Sequence, residues 1–406
     1  MPDLVDAAAA ALARGDLAAA EEQARSALAD GTSLPALLTL AQALAWQGRG
    51  TDADAVLAQV DPAGLADDEL IAWALPRAAN QFWMLDQPER ATAFLRAIRG
   101  RLSSAVTIDA LLCTFAMNAG GPQRALEIAE SVLSCDHAED RAVGWAAAAA
   151  GLSAARMGRF DQVDGLAARA GAAGHPGVLR FTSAYGQITG RLMTGDIGAA
   201  DAVAEGLVCD TGPSRAIALV LRADIALARG ALDEAVEALR EAAPALSTTG
   251  YSWGPLAWML LAQAHAQQGR AVDAAKALSR AESRHGLKSM LFAPELTLAR
   301  AWTAAARRDQ PGAVRAARDA ARAALRGGQR AVALRALHDA VRLGDTRAVQ
   351  PIANVSGECV FGRLTAEHAR ALSMGDIAGL ESVAARWAGL GWGSAARDAA
   401  RQAGSS

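Results

Sequence analysis

A turn signal recurs along the whole chain, and it is the strongest constraint on the fold. Helix-forming runs break at ARGDLAAAE (Gly15), WQGRGTDAD (Gly48), LDQPERA (Gln87), AGGPQRA (Gly120), RMGRFDQ (Gly158) and TGDIGAA (Gly195). The series continues through RGALDEA (Gly230), QGRAVDA (Gly269), RDQPGAV (near Asp309), LGDTRAV (Gly344) and MGDIAGL (Gly375). Gly15 to Gly375 spans 360 residues in ten steps, a mean of 36, with single steps of 31 to 40. A helical hairpin of that size cannot bury its apolar face alone, so neighbouring hairpins must stack into one array.

The register inside each unit is regular. Five residues after the turn stand Ala20, Ala125, Val163, Ala200, Ala235, Ala274, Val314, Val349 and Leu380. Seven residues before it stand Ala8, Ala41, Cys113, Gly151, Ala223 and Ala262, a pattern that weakens at Trp302, Leu337 and His368. Small residues there let the two helices of a hairpin approach closely. Glycine at the turn supplies the positive φ that ends a helix, and Asp16, Asp196, Asp345 and Asp376 are placed to cap the helix that follows. The pattern predicts an all-α, tetratricopeptide-like, right-handed superhelical solenoid of about eleven hairpins. It is read as one unit over 1–406, with N-terminal repeats over 1–210 and more degenerate ones over 211–406. Segments 211–215 and 247–255 serve as connectors. The helix near 393–403 has no partner by this pattern, and is either a cap or a stub.

Composition agrees. About a quarter of the residues are alanine and only 4% are aromatic, which favours helices over sheets. The net charge is −3, and no basic stripe is present, so the chain is not expected to bind nucleic acid. Lys276 and Lys288 are the only lysines. No apolar run reaches membrane-spanning length, and the start MPDLVDAAAAALARGD lacks a basic n-region; both favour a cytoplasmic protein without membrane contact. Cys113, Cys135, Cys209 and Cys359 are widely spaced and read as reduced core residues.

The sequence contains no P-loop, HExxH or GxSxG motif, and its six histidines are scattered, so neither an enzyme, a cofactor nor a metal site is expected. His338-Asp339 reads as packing plus a surface charge. What remains is the concave face of the solenoid, lined by the first helix of each hairpin. Positions there free of packing duty are Arg77, Gln81 and Met84; Thr107, Thr114 and Met117; Trp145; Thr182, Tyr185 and Thr189; then Asp224, Gln263 and Thr303. Hydrogen-bonding groups with two aromatics suit a small polar effector, such as a sugar or metabolite, or an extended peptide; the alternative is an ordinary hydrated face. The densest mix of aromatic and polar groups is Trp73, Arg77, Asn80, Gln81 and Trp83. Most of the nine tryptophans should otherwise fill gaps between small-residue helices.

Over roughly residues 250–403, the stretches WGPLAWMLLAQAHAQQGRAVDAAKAL, LHDAVRLGD (Leu337 to Asp345) and HARAL…GD…GLGWGSAARDAA resemble actinobacterial LuxR-type regulators of the large, MalT-like ATP-binding class. The resemblance implies a helical-repeat sensor that binds an inducer, a sugar in the best-known member. It would relay binding to an NTPase domain that assembles into oligomers and to a helix-turn-helix. Neither of those modules has its motif in this sequence, so the chain reads as the sensor region, a fragment of a longer regulator. Its expected partners are then the effector, the parent regulator's other domains and further copies of the chain; a plain scaffold that binds a peptide or partner protein in the groove is the alternative.

Overall fold

The computed structural model describes residues 2–29, 31, 33–175, 178–207 and 212–404; Cys209 and the first residue of the 211–215 connector lie outside them. Among the described residues there are 23 α-helices, and they pair as the turn period requires. The hairpins are α1 (Pro2–Ala13) with α2 (Leu17–Ala29), α3 (Leu34–Trp46) with α4 (Gly50–Leu57), and α5 (Asp67–Ala79) with α6 (Pro88–Arg99). Next come α7 (Val106–Asn118) with α8 (Pro122–Leu133), α9 (Asp140–Met157) with α10 (Val163–Ala172), α11 (Leu179–Thr194) with α12 (Ile197–Glu205), and α13 (Gly212–Arg229) with α14 (Leu232–Leu246). The series ends with α15 (Trp253–Gln267) and α16 (Ala271–Glu282), α17 (Ala293–Ala306) and α18 (Gln310–Arg326), α19 (Arg330–Arg342) and the short α20 (Val349–Ala353), α21 (Val360–Met374) and α22 (Ile377–Gly389), then α23 (Gly393–Gly404).

The small-residue register holds in most hairpins, with Val314 and Val349 only half-buried. Ala8, Ala41, Cys113, Ala223 and Ala262 are fully or almost fully buried, as are Ala20, Ala125, Ala200, Ala235, Ala274 and Leu380. Cys113 donates its thiol to the Ala125 carbonyl at 3.1 Å across its hairpin, and burial pushes its pKa up to about 12. Two turns sit one residue earlier than the sequence pattern places them. Where glycine is missing, Asp86 (φ 52°) and Arg308 (φ 65°) take the left-handed position instead. Counting from Arg308, the packing positions are Ala301 and Ala313, both fully buried, and the break in the pattern at Trp302 disappears. Leu337 and His368 remain large residues at that position. Asp16, Asp196 and Asp376 accept the backbone N–H three residues on, as caps do. Asp345 does not cap a helix: it accepts the Arg347 N–H at 2.9 Å within its turn and pairs with Arg318.

The superhelix is wound so tightly that one turn rests on the next, with hairpin n meeting the start of the hairpin about five further on. Asp86 accepts the Lys288 backbone N–H at 3.1 Å, and the Lys288 ammonium donates to the Trp83 carbonyl. Ser252 donates to Asn118 at 3.0 Å, and Arg156 of α9 donates to Gln329, just before α19, at 2.6 Å. A Cβ on Gly195 would lie 3.0 Å from Val360 at the start of α21. The terminal helix α23 is docked in the same way, contrary to its unpartnered reading. Ser394 donates to the Leu227 carbonyl at 2.9 Å, Arg397 to the Gly230 carbonyl at 3.0 Å, and Asp398 pairs with Arg342 at 2.8 Å. The concave face that would line an open groove is therefore largely closed by the chain itself.

Candidate functional site

Two spaces stand out for their polar lining, one inside and one at the edge. The inner one is a narrow chamber of about 60 Å3 between the superhelical turns, walled by α9, α11, α13 and α15 together with α17, α19, α21 and Trp392. Its polar wall is built from charge pairs that bridge distant hairpins. Asp224 of α13 accepts from both terminal nitrogens of Arg335 of α19 at 3.1 and 3.4 Å. Burial works against the Arg335 charge, but Asp224 outweighs it and raises the pKa above its ordinary value. Arg156, 2% exposed, pairs with Glu295 at 2.8 Å and donates to the Leu291 carbonyl at 2.7 Å. Tyr185 faces the same chamber, and burial raises its phenol pKa. A chamber of this size holds a few waters or a ligand of a few heavy atoms.

The outer space is a cleft of about 1120 Å3 along the turn edges of the hairpins that begin with α13, α15, α17 and α19, with α23 at one end. Arg270, Arg308, Arg342, Arg397 and Arg401 line it, against the carboxylates of Asp233 and Asp398. Arg342 and Gln267 border both spaces. The Arg342 guanidinium is held by Gln267 and Asp339 at 2.9 Å and by Asp398 at 2.8 Å, and lies over the Trp302 ring at 4.6 Å. It forms the wall between chamber and cleft.

The residues singled out from sequence divide between these places and the core. Tyr185, Thr189, Asp224 and Gln263 are brought together at the chamber. Trp73, Arg77, Asn80, Gln81 and Trp83 lie near a π-helical turn, Asn80–Met84, in the third hairpin, and line neither space. There Trp73 donates to the Leu57 carbonyl at 2.8 Å, Asn80 to the Gly50 carbonyl at 2.8 Å, and Arg77 lies 5.0 Å from the Trp73 ring centre. Thr107, Thr114, Met117, Thr182 and Thr303 are buried, while Met84 and Trp145 are half-buried. Thr114 and Thr303 return their hydroxyls to their own helices, at the Ala110 and Ala299 carbonyls. Residues the pattern missed are Arg156, Glu295, Arg335 and Arg342. Their signal was available: each is a charged residue on the packing side of a first helix, where charges are rare unless paired. Among the described residues, no cluster of three or more His, Cys, Asp or Glu is placed to hold a metal, and no helix is long and apolar enough to cross a membrane.

No family model matches the sequence, and no curated protein does. Among solved structures, a Rap protein complexed with competence and sporulation factor is similar with a TM-score of 0.50 and 14% identity, over 84% of this chain and 98% of that one. A tetratricopeptide repeat protein from Parabacteroides merdae ATCC 43184 aligns with a TM-score of 0.43 and 16% identity, over 63% of this chain and 98% of that one. At such identity the likeness is one of fold. The likeness to the Rap structure, together with eleven stacked hairpins among the described residues, makes this chain a tetratricopeptide-like α-solenoid.

Proposed function

We propose that this chain is a protein-interaction module, acting as one solenoid over 1–406, that holds an acidic segment of a partner in its arginine-lined cleft. The carrying observation is the cleft's charge: five guanidinium groups against the lining carboxylates Asp233 and Asp398, with Asp273 and Asp339 pairing Arg270 and Arg342 from beside it, a positive surplus in a chain whose net charge is −3. Arginine forks bind carboxylates with two parallel hydrogen bonds, and such complementarity speeds and selects encounter. The Rap structure gives a parallel in which a superhelix of this kind is seen in complex with a factor. The test is fluorescence anisotropy with a labelled poly-glutamate peptide. Binding should weaken with salt, and the Arg270→Glu, Arg308→Glu double variant should bind about tenfold more weakly or worse, whereas Arg25→Glu, far from the cleft in sequence and on α2, should bind normally. Absence of saturable binding at low salt would remove the proposal.

A second reading is favoured by the polar chamber together with the MalT-like resemblance of residues 250–403. Here the chain is the cytoplasmic sensor of a transcriptional regulator, and Tyr185, Asp224 and Gln263 contact a small polar effector. A sugar exceeds about 60 Å3, so it would enter only as the turns part, and binding would select that open state. Because Arg342 borders both spaces, opening would also reshape the cleft offered to the regulator's other domains. Calorimetry and thermal shift against a sugar and metabolite panel test this; no stabilisation by any small molecule would sink it.

A further inference from the structure

We propose that the cleft's partner is a second copy of this chain, seated by the edge at which its first helices begin, so that superhelices stack end to end. The inference rests on the cleft as an acidic-partner site, and it names the occupant from the way the chain already packs on itself. The turn edges at Gly120, Gly195 and Gly230 are covered by the starting ends of later first helices, although a Cβ at Gly15 or Gly158 would meet nothing within 4 Å. A Cβ on Gly120 would lie 3.2 Å from the Met290 carbonyl oxygen, and one on Gly230 would lie 2.9 Å from the Ser394 nitrogen. The equivalent turns at Gly269 and Gly375 would meet nothing within 4 Å, and that at Gly344 meets only Gln310 of a neighbouring hairpin. Of these open turns, Gly269 and Gly344 line the cleft. What fits them by the chain's own packing rule is another row of first-helix starts.

The charge of the opposite edge matches. The starts of the early first helices have no preceding turn above them. They expose Asp61, Asp67, Asp68 and Glu69 at α5, and Glu139 and Asp140 at α9. These acids suit the N-terminal ends of their own helices, and the six of them outnumber the basic groups beside them, Arg141 against Glu139 and Arg101 at the Pro62 carbonyl, which leaves an excess of negative charge on this rim. A basic turn edge at one end and an acidic starting edge at the other make a heterologous, head-to-tail contact, which grows into an open array unless its rotation closes a ring.

Sedimentation velocity on the full 406-residue chain tests this. The average mass should rise with concentration at low salt and return to that of the single chain at high salt. Arg270→Glu with Arg308→Glu blocks the cleft, and Asp67→Lys with Asp68→Lys blocks the rim; each double variant alone should stay monomeric while keeping the wild-type circular dichroism, the rim variant melting somewhat lower because it loses the bonds from Ser103 to Asp67. Mixed, they should form a dimer that grows no further, since one retains an intact rim and the other an intact cleft. A wild-type chain that stays monomeric at every concentration and salt, or a mixture that fails to pair, overturns the stacking proposal. The poly-glutamate measurement then still decides whether the cleft binds an acidic partner of another kind.

Discussion

At the scale of single residues, the buried histidines make stability depend on pH. His338 packs on Phe361, Trp387 and His368, with ring centres 5.0, 4.6 and 5.6 Å away. Burial holds its pKa well below the usual 6.5, and His368, Arg342 and Arg335 add to the depression. Burial also lowers His368, against the opposing pull of Gln402, whose Oε1 lies 2.8 Å from the ring nitrogen, and of Asp398. In the unfolded chain both rings protonate near 6.5, so their contribution is complete above that pH and is lost as pH falls below it, more steeply for His338, which is lowered further than His368. The urea midpoint should therefore fall between about pH 7 and about pH 5.5, and His368→Gln should flatten the decline. A midpoint that does not move over that range would count against buried neutral rings. The sequence reading of His338-Asp339 as packing plus charge fits half of this: His338 is core, but Asp339 takes the Trp302 indole N–H at 3.2 Å and pairs with Arg342. Arg156 could not be assigned a role from sequence, because the groups it bonds lie 135 to 173 residues away.

At the scale of elements, the turn decides how well a hairpin is read. Where glycine stands at the left-handed position, the spacing of its flanking alanines is legible from the sequence alone. Where Asp86 and Arg308 stand there, composition points one residue too far, because the neighbouring Gln87 and Asp309 look like better turn residues. The two exceptions differ. Asp86 uses its carboxylate to hold the next superhelical turn through Lys288, whereas Arg308 has a strained backbone with no such return. Arg308→Gly should raise stability by about 0.5–1 kcal/mol, read as an increase in melting temperature. Gly230→Ala and Gly269→Ala impose similar strain, at φ 77° and 76°. Gly230→Ala should cost clearly more, since its methyl would collide with Arg397 and the start of α23, whereas Gly269 has open space. Equal losses would mean that the docking of α23 contributes nothing to the fold.

At the scale of the whole molecule, the period and the all-helical array were legible, but the closure of the groove was not. Pitch is the sum of small rotations between neighbouring hairpins, and no local pattern encodes that sum. The alanines that let helices approach also tighten the winding, as at Gly186, where an added Cβ would lie 3.1 Å from the Gly151 backbone. Positions read as groove-facing therefore became contacts between turns, and Asp224 found Arg335 across 111 residues of sequence. A simple solenoid couples only neighbouring units; this one also couples distant hairpins, as Asp224 of α13 in the seventh does with Arg335 of α19 in the tenth. Asp224→Asn tests that coupling, because it leaves Arg335, about a quarter exposed, charged and without its carboxylate, a loss below the ~3–5 kcal/mol of a fully buried pair. Hydrogen exchange should then speed up in α19 as well as in α13. If the loss of protection instead stays within α13 and its sequence neighbours, the turns rest on one another without sharing stability. An effector in the chamber would then have no route from one turn to the next.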